Sequence, residues 1–262
     1  MHMRNDAAAS RDAHERLVAI LANELCQPLA PIRDAAALLK QDSIDESTLR
    51  HASEVIERRA ADMHRLIGDL LDASRMQAGA MEIRVQPTLL TDLVEGAVES
   101  ARLLARERGH TLHVSVSTQP VCLNIDVLRL TQALHNIIAN ASKFTDRDGH
   151  IHVRALRDCA MVVIEVRDTG IGIPAEELET IFDLFWRCEQ RERLEPGLGL
   201  GLYLARYLIE AHGGTITAAS EGSGRGSVFT LRLPCEPATP LPQAQLDPDS
   251  VESEIAGDPS RA

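Results

Sequence analysis

Aromatic residues are scarce. One Trp, two Tyr and four Phe in 262 residues leave the core to be built from Leu, Ile, Val and Ala, which a hydrophobic content of 44% can supply. Clusters of Lys and Arg are missing as well, and the formal net charge is −12. Binding to nucleic acid requires grouped cations to neutralise phosphates, so no nucleic-acid partner is expected. No apolar run approaches the ~18 residues that cross a bilayer, and no signal peptide is recognisable, so no membrane segment is expected in this chain. The cysteines, Cys26, Cys122, Cys159, Cys188 and Cys235, form no CxxC pair and no metal-ligand spacing. They read as free thiols in a reducing compartment.

Organisation follows from periodicity. Over residues 10–40, Val18, Leu21, Leu25, Pro28, Ile32, Ala35 and Leu39 step by alternating threes and fours, the seam of a helix bundle. Pro28 lacks a backbone donor inside that run and should kink the helix. After a polar link at 41–47, the alternation returns in Leu49, Ser53, Ile56, Ala60, Met63, Ile67, Leu70 and Ser74. Such a helical hairpin cannot bury both stripes alone, which predicts pairing with a second copy into a dimeric four-helix bundle. Past Gly79 the pattern changes. Strands are expected at 112–117, 151–156, 161–167, 215–219 and 227–233, and helices at 125–144 and 200–212, with a strand hairpin turning at Arg157 and Asp158. The mixture indicates an α+β chain, in which the hairpin over residues 10–80 precedes an α/β sandwich over 84–235 with helices on one face. Residues 236–262 hold six acidic residues, one basic residue and five prolines, the composition of a disordered tail.

Chemistry-bearing residues appear in a fixed order. Asn136, Asn140 and Lys143 are spaced four and then three apart, so one helix face carries two amides and an ammonium. That set suits phosphates and a hydrated Mg²⁺, which prefers oxygen ligands and keeps waters. Asp168, Gly170 and Gly172 follow a strand; the carboxylate can accept from an adenine amino group, and the glycines admit a base close to the backbone. Gly197, Gly199 and Gly201 lead into a helix, whose free N–H groups and positive dipole end favour a polyphosphate. Taken singly, each is a common feature: a solvated helix face, a turn, a glycine-rich loop. Their combination in this order is specific.

In that order the segments resemble the motifs of the sensor histidine kinases, a branch of the GHKL ATPase superfamily. Residues 136–145 are similar to the family's N box, 168–173 to its first glycine box, 181–185 to its F box, 197–202 to its second glycine box and 222–229 to its last. The resemblance covers roughly residues 11–234. It implies a GHKL (Bergerat) ATP-binding domain with ATP and Mg²⁺ as cofactors, in which Asn140 carries Mg²⁺ and Asp168 holds adenine. It further implies that Asn136, Lys143 and Arg187 approach the phosphates under a lid spanning about 186–198. Leu184 stands where the F box usually has Pro, and Pro196 where a Gly commonly precedes the glycine run. The implied protein is a bacterial cytoplasmic kinase core, alone or as part of a larger sensor. Such a core is a homodimer that phosphorylates itself on histidine and passes the phosphoryl group to a response regulator receiver domain.

One position departs from the family's chemistry. Asn23, Glu24, Leu25, Cys26, Gln27, Pro28 and Leu29 align with the phospho-acceptor box, but Asn23 occupies the histidine position and Cys26 that of a usual Arg. At ~100° per residue, Asn23 faces ~160–200° away from the Leu21 and Leu25 stripe, as an acceptor must. Imidazole has a nitrogen lone pair able to attack a phosphoryl group, whereas an amide nitrogen has its pair delocalised into the carbonyl. Autophosphorylation at the usual position is therefore expected to be absent. His14 falls in the bundle seam, and His51 and His64 lie outside any motif. Three origins fit Asn23: a substitution made to hold the unphosphorylated state, a natural pseudokinase or scaffold that regulates a partner, or a protein that keeps only phosphatase activity. For the last, Glu24 and Gln27 stand at the family's phosphatase spacing, and a Gln amide can orient an attacking water. Two polar residues on an exposed helix face would look the same.

Overall fold

The computed structural model describes residues 26–40, 44–188 and 198–235. Helix α1 (Leu29–Leu38) packs against the 32-residue α2 (Glu46–Gln77) as a helical hairpin. Gln27 and Pro28 form a turn and the helix runs from Leu29; the residues before Cys26, on which the expected kink also depends, lie outside the described residues. Pro31 is tolerated because N–H groups in a first turn have no intrahelical partner. The polar link ends in Asp45, whose side chain caps α2 by accepting from the Thr48 amide at 2.7 Å.

The expected stripe on α2 holds only in part. Ile56, Met63 and Leu70 are half-buried, whereas Leu49 and Ile67 are exposed. Toward its C-terminus the helix instead buries Asp69, Asp72, Ala73 and Met76. These face the second unit, where α4 (Val127–Phe144) supplies Arg129 and Gln132. Arg129 Nη1 lies 2.8 Å and Gln132 Nε2 3.1 Å from Asp72 Oδ2. The polar pair and the apolar neighbours together fasten the hairpin to the rest of the chain.

That second unit is a five-stranded sheet in the order β2 (Thr111–Val116), β4 (His150–Asp158), β5 (Met161–Asp168), β7 (Val228–Pro234), β6 (Thr215–Ala219). Only β2 and β4 are parallel; the other neighbours are antiparallel. One face is apolar: Ile151, Val153, Val162, Ile164, Val166 and Leu231 are buried with residues of α4 and α5 (Gly201–Ala211). On the other face His113, His152, Arg154 and Arg167 are exposed. Helices therefore cover one side, as the alternation of the strands requires. The β4–β5 hairpin turns at Cys159 and Ala160, two residues later than expected, because Arg157 and Asp158 pair with Val162 and Met161.

Two elements go beyond the expected periodicity. Helix α3 (Leu90–Arg108) buries Leu90, Leu93, Val94, Ala97, Val98, Ala101 and Ala105, and ends at Gly109 with φ +73°. A small antiparallel sheet joins β1 (Gln86–Leu89) to β3 (Cys122–Ile125). The expected tail over 236–262 lies outside the described residues.

Ile137 is fully buried at the centre of α4, whereas Leu128 near its start is 72% exposed. Ile137→Ala is expected to lower unfolding stability by about 2–5 kcal/mol, and Leu128→Ala by less than about 0.5 kcal/mol. Denaturant midpoints of the two variants check this; equal shifts would place α4 wrongly.

Candidate functional site

Asp168 ends β5 and is buried, 5% exposed. Its Oδ1 accepts from the Gly170 amide at 2.8 Å and the Ser227 amide at 3.2 Å, and the Ser227 hydroxyl donates to Oδ2. Burial pushes the carboxyl's pKa up, and these hydrogen bonds pull it partly back. A carboxylate offers about four lone-pair sites. Three are used, which leaves one on Oδ2 for a further donor.

The glycines around Asp168 are places of close approach. A Cβ on Gly170 would have no room against the Phe144 carbonyl oxygen, which accepts from the Ile171 amide at 3.1 Å. The end of α4 is thereby joined to the first glycine motif. Gly172, at φ +73°, leaves a Cβ no room against the Gly222 carbonyl oxygen, and this contact brings the last glycine motif alongside. Sequence motifs draw attention to these glycines; Ser227 falls within the last of the motifs, residues 222–229, without being given a role there. The available signal was a small hydroxyl residue directly after Gly226.

A cleft of about 480 Å³, counted with its open mouth, runs over this floor. Asp168, Gly172 and Ser227 line it together with Ile173, Ile181 and Trp186, so a flat, mostly apolar group with one donor edge fits it. Asn140 lines this cleft and also a wider one beside it. The wider cleft brings together Asn136, Lys143, Arg187, Gly199 and Gly201. Asn136 is buried, and its Nδ2 donates to the Gly201 carbonyl at 3.3 Å, so it ties α4 to the start of α5. Lys143 places its Nζ 5.3 Å from the Phe144 ring centroid.

His110 fixes the C-terminal end of α4 from behind. It is buried, with Nδ1 3.1 Å from Ser142 Oγ and Nε2 3.2 Å from the Thr145 carbonyl oxygen, on either side of Lys143. Burial holds its pKa below the ordinary histidine value. The two stems of the expected lid meet where the Phe185 amide donates to the Gly199 carbonyl at 3.2 Å. Phe185 has φ +66° there, an unusual conformation for a residue with a side chain. Gly197 and the lid segment 189–197 lie outside the described residues, as do Asn23 and Glu24. Gln27 is described; it is exposed and lines neither cleft. Among the described residues no cluster of three His, Cys, Asp or Glu can hold a metal ion, and no helix is long and apolar enough to cross a membrane.

Because Asp168 has a raised pKa in the folded state, the folded protein holds this proton more tightly than the unfolded chain. The stability tied to this group falls as pH rises from about 3.8 through the folded-state value. Asp168→Asn removes the titration. The melting temperature of the Asn variant relative to the parent should therefore rise as pH rises above about 3.8, and a flat difference would contradict the raised pKa.

Comparison with known proteins places this geometry in a family. Residues 13–79 match the His Kinase A (phospho-acceptor) domain, and residues 125–237 match the Histidine kinase-, DNA gyrase B-, and HSP90-like ATPase. The sensor histidine kinase MtrB of Mycobacterium leprae (strain TN) is 32% identical over 249 residues, which are 92% of this chain and 44% of MtrB. Full-length ShkA, solved in complex with AMPPNP, is similar with a TM-score of 0.62 and 25% identity, over 86% of this chain and 46% of that one. Histidine kinase ThkA, solved in complex with the response regulator protein TrrA, shares the fold at a TM-score of 0.57 and 22% identity, over 90% of this chain and 67% of that one. The chain spans less than half the length of the curated relatives it matches. With a phospho-acceptor region and an ATPase region matched in the order that its motifs set, the chain belongs to the histidine kinases, as a transmitter module of that family.

Proposed function

We propose that this chain is the transmitter core of a two-component sensor kinase that binds Mg·ATP, and that Asn23 prevents it from phosphorylating itself at the usual position. The observation that carries the ATP reading is the buried Asp168 carboxylate with one accepting site left, on the floor of an apolar cleft. Adenine fits by offering its amino group to Oδ2 while its ring lies among Ile173, Ile181 and Trp186. The phosphates then extend past Asn140 into the wider cleft, toward Asn136, Lys143, Arg187 and the start of α5. Gly197, Gly199 and Gly201 serve as the phosphate-facing glycine run.

A magnesium ion fits at Asn140. Its half-buried amide offers an oxygen where the two clefts meet, and Mg²⁺ is usually held by one or two protein oxygens, phosphates and water. When bound, the ion neutralises phosphate charge. The protein's own part is to orient the nucleotide by Asp168 and to keep α4 in place through Asn136 and His110.

Residues 10–80 serve as the dimerising hairpin and 84–235 as the ATP-binding domain. Leu29, Leu38, Leu49, Ile67 and Leu71 are exposed apolar residues on the hairpin. They support pairing with a second copy, and the receiver domain of a response regulator is the expected partner of the bundle. A second reading is favoured by Asn23 itself. A chain that binds ATP without a nucleophile at the acceptor position can act as a pseudokinase or scaffold for another kinase or a regulator. With Glu24 and Gln27 it can retain phosphatase activity.

Three measurements test this function. Calorimetry should detect Mg·ATP binding between about 1 μM and 1 mM, roughly −8 to −4 kcal/mol, and Asp168→Asn should weaken it; a parent that binds no ATP would refute the site. Light scattering at tens of micromolar should give the mass of a dimer. Asn23→His should acquire acid-labile, base-stable label from γ-labelled ATP. Glu24→Gln in that background should lower the labelling rate by about 10²–10⁴-fold, the usual worth of general-base help. An Asn23→His protein that binds ATP and dimerises yet takes up no label would favour the pseudokinase reading.

A further inference from the structure

The wider cleft is lined by different parts of the chain: the α4 face bearing Asn136, Asn140 and Lys143, the end of α3 with Leu104, Glu107 and Arg108, and α2 of the hairpin. The two helices run past each other in a readable register. Asp72 meets Arg129 and Gln132, and one turn earlier on α2 Asp69 also reaches Gln132. A further turn back, Arg65 acts electrostatically on His135, beside Asn136. Asp72, Asp69, Arg65, Asp62 and Arg58 are separated by threes and fours, so they share one face of α2. Continued at the same pace, this antiparallel register sets Arg58 at the level of Lys143, across the cleft that both line.

The charge of the cleft is opposite to that of the molecule. Six cationic side chains and three carboxylates line it, in a chain of net charge −12. The carboxylates near the arginines are weak competitors for a ligand. Arg65 lies 4.0 Å from Asp69 and Arg58 4.0 Å from Glu107, and the arginine side chains are 53% and 56% exposed. Loose, exposed pairs of this kind contribute little. Burial pushes the pKa of Asp69 up, and Arg65 and Gln132 pull it partly back. A guanidinium in such a position can turn to a phosphate, whose geometry it matches with paired N–H donors.

We propose that Arg58 and Arg65 of the hairpin form one wall of the phosphate site and bind the terminal phosphate of ATP, so that the nucleotide cleft is shared by the hairpin and the ATPase domain. This rests on the ATP reading above. It adds a specificity that the ATPase domain alone does not provide: the hairpin wall distinguishes a triphosphate from a diphosphate. By linkage, the terminal phosphate then holds the hairpin to the ATPase domain as strongly as the hairpin holds the phosphate.

The test is calorimetric titration of the full chain with AMPPNP and with ADP, each with magnesium. In the Arg58→Ala/Arg65→Ala double variant the AMPPNP dissociation constant should rise about tenfold or more, as expected for lost charge-assisted hydrogen bonds. The ADP constant should change less than about twofold, and Arg58→Lys/Arg65→Lys, which keeps the charge without the paired donors, should recover only part of the AMPPNP affinity. An equal loss for both nucleotides, or an unchanged AMPPNP constant, overturns the proposal. A parent that binds neither nucleotide shows that the ATP reading itself fails, a result seen before any variant is compared.

Discussion

A carboxylate taken out of water must be given donors, and at Asp168 this constraint organises the surrounding chain. Its side chain is almost fully buried, so leaving it unpaired would cost several kcal/mol. The donors come from Gly170 and from the amide and hydroxyl of Ser227, 59 residues away in sequence. Supplying them requires the end of β5 and the start of β7 to lie together. The first glycine motif then falls against Phe144 at the end of α4 and against Gly222. Three stretches that are separate in sequence thus become one surface, because the backbone there carries no side chains to hold them apart.

The same helix α4 links that floor to the hairpin. One of its faces is apolar and fixed by Ile137 and its neighbours in the core. The cleft face carries Asn136, Asn140 and Lys143, and the N-terminal turns carry Arg129 and Gln132, which grip Asp72 of α2. Any shift of the hairpin relative to the second unit therefore bears on the helix that lines both clefts.

The ATPase region and the acceptor box tell different stories about catalysis. Around the cleft, the family's residue types are present and the fold brings the described ones together. At position 23 an amide replaces imidazole, and no arrangement of neighbours makes an amide nitrogen a good nucleophile. The nucleotide-binding reading and the acceptor reading thus rest on separate residues of the chain.

Much of this was legible in the sequence. The spacing of Asn136, Asn140 and Lys143, the glycine runs and the strand alternation at residues 151–156 all act over a few residues, where helix and strand geometry alone dictate the outcome. Helix α3 was also encoded, in the apolar stripe from Leu90 to Ala105, but no motif draws attention to it. Other features depended on long-range contacts. The burial of Asp69 and Asp72 defies the apolar seam on α2, because their partners lie on α4, some sixty residues on. The part played by Ser227 and the parallel pairing of β2 with β4 likewise follow from which distant segments meet. Local sequence determined the elements and the chemical groups that they carry. Only the tertiary structure decided which buried charge found which partner, because the energy of a desolvated group depends on neighbours that the chain supplies from afar.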